Sequence, residues 1–271
     1  MYGFIHVYKS AGTTLNRMLR ASYGARHFDV EPLDGVKQPI PFSEKDLRFV
    51  LGLKSNLSGF AGHRVKAFAD MGTYSDHISY FTIIRNPIVR AGSAFQYSYC
   101  YQKKRYGKIL TFEDWLEDPY TSNLHCKMIS GLSSFEATVD IIEKKNIFIG
   151  NSDSYYESLV MLKRAHLKEL NIVKSSFNVA KNNTLSSKIL SDNKLKEQLV
   201  NANLEDQKLF NYAKNNLFPK YVRQYGLNLD LEVSKLPSLF NYNQRGRILA
   251  NRLYRNLFYK PMFQIKKNFC K

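Results

Sequence analysis

Cysteine is scarce: Cys100, Cys126 and Cys270 are the only three in 271 residues, and they show no CxxC or metal-ligand spacing. Three thiols cannot all pair with one another, which argues for a reducing compartment over a disulfide-stapled secreted domain. No metal is expected either, since no His/Cys/Asp/Glu cluster appears at ligand spacing. Long apolar runs are also missing, and none approaches the roughly 18 uncharged residues of a membrane span. A strand is expected from Tyr2 or Gly3, which leaves no room for a cleavable leader, so a soluble cytoplasmic protein is expected. Asn56-Leu57-Ser58 and Asn182-Asn183-Thr184 match the glycosylation sequon but mean little without a secretory route. Repeats and low-complexity segments are absent. So is acid near the end of the chain: residues 241–271 hold Arg245, Arg247, Arg252, Arg255, Lys260, Lys266, Lys267 and Lys271, with no Asp or Glu.

What is present describes a globular chain, 44% hydrophobic and 23% charged, long enough for one large domain with an appendage. The net charge is +17, of which that acid-free tail supplies 8 and the preceding chain 9. Such a body suits a polyanionic ligand without identifying it.

The pattern along the chain alternates strands and helices. A strand at 3–8 leads through a turn to a helix at 13–23, and an irregular stretch follows at 29–42. A helix starts after Ser43 as cap, and a short strand is expected at Gly59–Ala61. "YFTII" (80–84) is continuously apolar and β-rich, as a central parallel strand covered on both faces should be. Asn86 then caps a helix whose first turn accepts Pro87. "NIFIG" (146–150) reads as a further strand, with helices near 152–170 and 191–217. The expected fold is therefore α/β, P-loop-like and three-layered, with a central parallel sheet flanked by helices over residues 1–230. Residues 231–246 read as a linker into the basic aromatic tail, so 231–271 forms the appendage.

Two stretches carry chemistry. In "FIHVYKSAGTTLNRMLR" (4–20), Gly12 and the small Ser10 and Ala11 let the main chain approach an anion closely. The N–H groups opening the next helix favour negative charge, Thr13 and Thr14 add hydroxyls, and Lys9 is a cation beside them. This is not GxxxxGK[ST], because the lysine precedes the only glycine. The plain alternative is an ordinary βα turn with a surface lysine. In "IIRNPIVRAGSAF" (83–95), Arg85 stands at the carboxyl end of a buried strand, where α/β proteins place ligands. Ser93, eight positions on, can join it on one phosphate, with Arg90 on a neighbouring helix face or simply solvated.

These two stretches resemble the PAPS-dependent sulfotransferases, which use 3′-phosphoadenosine 5′-phosphosulfate (PAPS) as donor. The first looks like their 5′-phosphosulfate loop and the second like their 3′-phosphate motif. The forms K-x-A-G-T and R-x-P-x-x-R-x-x-S are most similar to the Golgi-type carbohydrate branch, which includes heparan and chondroitin sulfate 2-O-sulfotransferases. Weaker similarity through 111–131, 146–162 and 201–217 extends the resemblance over roughly residues 3–217. The resemblance implies that Lys9 stabilises the leaving group and that Ser10, Ala11, Gly12, Thr13 and Thr14 hold the 5′-phosphate. Arg85 and Ser93 would hold the 3′-phosphate, and the acceptor would be a glycan or another hydroxyl-bearing molecule.

A base must then take the acceptor's proton. Family members with a catalytic histidine carry it at a strand end about 22 positions before the 3′-phosphate arginine, and His63 lies 22 before Arg85. Other members use a glutamate, and His125 is the reserve candidate. Asn182, Asn183 and Thr184 fall where the family often lines the cofactor site.

The tail supports two readings. As a helix to Tyr259, with Pro261 stopping any longer one, it sets Ile248, Leu249, Leu253, Leu257 and Phe258 roughly on one side and cations on the flanks. That is a signature for an anionic membrane surface through 245–267, or else for an arm packed on the domain. Two other functions stay open: an ATP-dependent P-loop-like kinase, and a basic nucleic-acid or membrane binder. No nucleic-acid motif appears, so none is expected as a partner.

Overall fold

In the computed structural model, residues 1–30, 40–175 and 184–269 are described; Asn182, Asn183 and Cys270 lie outside them. Five strands form the sheet: Tyr2–Ile5 (β1), His27–Asp29 (β2), Gly59–Gly62 (β3), Ser79–Ile84 (β4) and Phe148–Asn151 (β5). All neighbours pair in parallel, in the order β2-β3-β1-β4-β5. After β1 the chain runs out to the β2 edge, returns through β3, and crosses β1 to β4. Strand order thus reverses around β1, and the crevice at the carboxyl ends of β3, β1 and β4 is where such sheets bind ligands.

Fourteen helices are described: α1 (Gly12–Tyr23), α2 (Glu44–Leu53), α3 (Pro87–Tyr106), α4 (Phe112–Glu117), α5 (Leu124–Ser130), α6 (Phe135–Lys144), α7 (Tyr155–Ala165), α8 (Thr184–Ser191), α9 (Asn193–Ala202), α10 (Leu204–Tyr212), α11 (Phe218–Tyr225), α12 (Leu229–Ser234), α13 (Tyr242–Tyr254) and α14 (Lys260–Phe269). Alternation along the buried strands splits the core into two layers. Phe4, Phe81 and Phe148 meet Leu15 and Leu19 of α1 and Leu159 and Leu162 of α7. Ile5, Phe60 and Ile84 face the other way, towards Leu47 and Val50 of α2 and Leu209 and Phe210 of α10. A smaller cluster, including Ile88, Phe95, Trp115 and Ile189, joins α3, α4, α8 and α9 away from the sheet. The α/β expectation holds: a central parallel sheet with helices on both faces.

Several boundaries differ from the sequence reading. β1 ends at Ile5, although the His6 N–H still reaches Gly62 O at 3.3 Å, because the chain enters a turn at Tyr8. β2 was not anticipated; at three residues it is too short to show a period. The helix expected at 191–217 is two helices, broken at Asn203, which leaves helical geometry at φ −127°. Asn123 supplies the missing start for the second, its Oδ1 accepting the Glu205 and Asp206 N–H groups.

The segment 231–246, expected as a linker, includes most of α12 and the start of α13, and its Phe240 is buried. Pro261 does not end the tail helix. The wide turn Arg255–Tyr259 immediately precedes α14, just as Ala213–Leu217 precedes Pro219 in α11. A π turn relieves both the missing N–H and the ring's clash with the carbonyl four residues back.

The tail packs as an arm on the domain. Arg247 donates to Ser22 O at 2.8 Å, and Asn251 donates to Gly24 O at 3.0 Å and His27 O at 2.8 Å. Tyr259 sits edge-on to Phe28 at 4.7 Å and Phe263 edge-on to Phe49 at 4.9 Å, and Lys266 pairs with Asp46. Tyr259→Ala should therefore lower unfolding free energy in urea by about 3–5 kcal/mol. Tyr259→Phe should be neutral or stabilising, because the buried hydroxyl has no hydrogen-bond partner among the described residues.

Candidate active site

The loop leaving β1 is built to present main-chain N–H groups. Lys9 and Ala11 both sit in the left-handed region, at φ 64° and 60°, which for side-chain-bearing residues is strain held by the surroundings. Ala11 occupies the N-cap of α1 and makes no side-chain cap. Its carbonyl accepts from the Thr14 N–H at 3.2 Å and from the Tyr155 hydroxyl at 3.3 Å, and the helix start opens on the loop where anions are favoured. Gly12 is obligatory here, because a Cβ would collide with the His6 ring.

A column of rings climbs from the core to this loop. Phe81 stacks on Phe4 at 5.2 Å, Phe4 on His6 at 5.4 Å, His6 on His63 at 4.2 Å, and His63 on Tyr8 at 3.5 Å. Phe4, His6 and Tyr8 share the column because alternate residues of an extended chain face the same way. His63 follows directly after β3, beside His6, since Gly62 pairs with Ile5. Its Nδ1 lies 2.6 Å from His6 O, and a carbonyl only accepts, so Nδ1 carries the proton and Nε2 is the basic nitrogen of the neutral ring. Burial, then the His63 charge, pushes the His6 pKa down to about 3, so His6 is a neutral stacking platform.

Arg85 leaves the end of β4 and its Nη1 donates to Lys9 O at 3.3 Å, tying the two βα loops together. Burial lowers the pKa of both cations, and for Lys9 the Arg85 charge adds to it. The Lys9 ammonium stands 5.1 Å over the Tyr97 ring of α3. Asn86 caps α3 by accepting from the Ile88 and Val89 N–H groups, which points the helix start at the same space. A cleft of about 1080 Å³ results. Lys9, Ala11, Gly12, Thr13, Thr14, His63, Arg85 and Ser93 all line it, and Ser10 lies behind the wall at 1% exposed.

Behind that wall runs a polar network that sequence reasoning largely missed. The His125 Nδ1–H donates to Asp206 Oδ2 at 2.9 Å. Its Nε2 then accepts from Ser10 Oγ at 3.2 Å and from the Arg85 main-chain N–H at 3.4 Å. Burial opposes ionisation of Asp206, but His125, Arg90 and the Cys126 N–H outweigh it and hold its pKa at about 2. His125, the reserve base, is thus fully buried with both ring nitrogens engaged, and it does not line the cleft. Arg90 is not a solvated helix charge: it is 1% exposed, donating to Thr121 O and Asn203 Oδ1. Asp206 carried no local signal, because its partner is 81 residues away. The column could have been read from the Phe4-His6-Tyr8 alternation. Of the weak cofactor-site trio, only Thr184 is described, at the start of α8.

The chain matches the sulfotransferase family over residues 3–213, most of its length, and belongs to that family. Its function is therefore sulfuryl transfer in the general sense, on the α/β fold described above. No curated protein matches it.

The His6 environment sets a pH dependence. The unfolded ring gains its proton near pH 6.5 and the folded one only near 3, so the unfolded state binds more protons in that window and stability falls as pH falls through it. Replacing the ring by His6→Asn should flatten urea stability against pH between about 6 and 4, by up to ~1.4 kcal/mol per pH unit.

Proposed function

We propose that the cleft moves a sulfuryl group from PAPS to a hydroxyl of a carbohydrate or glycan acceptor. The observation that carries this reading is the convergence of three adjacent strand ends. β3 supplies His63, β1 the N–H-rich loop with Lys9, and β4 leads into Arg85 with Ser93 on the helix beyond. A donor with phosphates at both 5′ and 3′ positions needs two anion grips; in this reading one is the loop after β1 and the other the loop and helix after β4.

In this reading the α1 N-terminus and the main chain from Ser10 to Thr14 hold the 5′-phosphate. Arg85 and Ser93 take the 3′-phosphate. His63 Nε2 accepts the acceptor's proton as its oxygen bonds to sulfur. The bond from sulfur to the bridging oxygen breaks in line, and Lys9 meets the charge that develops on the departing adenosine 3′,5′-bisphosphate. Burial lowers the Lys9 and Arg85 pKa values, and among the described residues Asp153 beside Arg85 is the acid that counters it, which fits a site that takes anions. A carbohydrate acceptor is supported by the form of the two loop motifs and by three tyrosines on the cleft, Tyr120 exposed and Tyr8 and Tyr97 each covered on one face, by His63 and by the Lys9 ammonium respectively. The free thiols Cys100 and Cys126 fit a reducing, cytoplasmic compartment.

Calorimetry tests the donor site. Adenosine 3′,5′-bisphosphate should bind more tightly than AMP or ATP, and Arg85→Ala should weaken it by about 1.5–3 kcal/mol, roughly 10- to 150-fold. Equal or tighter binding of ATP would instead favour a kinase. His63→Ala should leave bisphosphate affinity nearly intact while lowering turnover by about 10²–10⁴. Unchanged turnover would remove His63 as the base.

A further inference from the structure

Among the described residues nineteen large hydrophobic side chains are exposed, and nine of them lie at or beyond Leu227. They are not scattered there. α13 advances about 100° per residue, so Asn251, anchored to the domain, lies opposite Leu249. The domain takes the side bearing Asn251 and the half-buried Ile248 and Tyr254. The outward side shows Leu249 at 56%, Leu253 at 49% and Leu257 at 75% exposure, a row spaced by four residues. Arg245 and Arg252 are exposed along the edge of that row, and Ile265 of α14 continues the apolar surface.

The occupant must satisfy both halves of this face. A second copy of the chain docked by the same face would set Arg245 and Arg252 beside like charges, with no Asp or Glu from 241 to 271 to neutralise them. A polyanion such as RNA would satisfy the arginines and gain nothing from a row of leucines. A bilayer with anionic headgroups satisfies both, with leucines entering the acyl boundary and arginines at the phosphates. No described helix is long and apolar enough to cross a membrane, so contact would be by the face alone. We propose that the outer face of α13, the wide turn Arg255–Tyr259 and α14, carrying Leu249, Leu253, Leu257 and flanking arginines, docks the protein onto an anionic membrane surface.

The full chain would be floated with phosphatidylcholine vesicles, with and without phosphatidylserine. Binding should require phosphatidylserine and fall as salt rises. Leu249→Ser, Leu253→Ser and Leu257→Ser combined should reduce it at least about tenfold, as should Arg245→Glu with Arg252→Glu. Adenosine bisphosphate affinity should be unchanged in both variants, since none of these residues lines the cleft, which checks that they fold. Equal binding to both vesicle types, or wild-type binding by the leucine variant, would overturn the proposal. So would a solution dimer that the leucine variant abolishes, or binding to RNA without binding to vesicles.

Discussion

One imidazole holds the two halves of the cleft in register. His125 spends one ring nitrogen on the Asp206 carboxylate and offers the other to Ser10 and to the Arg85 N–H, so both βα loops end on the same buried acceptor. The carboxylate fixes the tautomer, and with it the direction of the Ser10 hydroxyl proton, which points inward. What the first loop shows the cleft is therefore main chain and the Lys9 ammonium. Asp206 is itself fixed by the N–H groups of His125 and Cys126 and by the Asn123 cap on α10. A buried hydrogen-bonded network of this kind rigidifies what it touches.

Rigidity matters because the loop it braces is strained. Two residues with side chains stand at positive φ, and a glycine lies flat against the His6 ring. An anion-binding turn needs N–H groups already converged, so that little ordering remains when the charge arrives. The ring column does the same for His63, clamping the imidazole between His6 and Tyr8 and fixing its protonated nitrogen on His6 O. Pre-organisation thus reaches His63 and the loop after β1 by separate routes from one strand end.

Much of the cleft could be read from the chain because its parts are local. Lys9 to Thr14, Arg85 to Ser93 and the Asn86-Pro87 helix start each fall within a dozen residues, so spacing alone brought together residues that line one cleft. The central strand at 80–84 and the α/β class were legible in the same way. What escaped was non-local or too short for a period. β2 is three residues long, Asn203 breaks a stretch that otherwise reads as one helix, and Asp206 meets His125 across 81 positions. Arg90 looked solvated because nothing within its helix announces the Thr121 carbonyl and Asn203 amide that receive it.

The sequence by itself determined the alternation of strands and helices, the two βα loops that line the cleft and the acid-free tail, since each depends on neighbours a few bonds away. The tertiary structure decided which of the candidate histidines faces the cleft. It also decided that a loop serine serves the interior, and that the tail helix gives one side to the core and the other to solvent. Those outcomes depend on which surfaces meet when β1 takes β3 on one side and β4 on the other. Burial and partner distance are properties of that assembled sheet, and no single segment of the chain carries them.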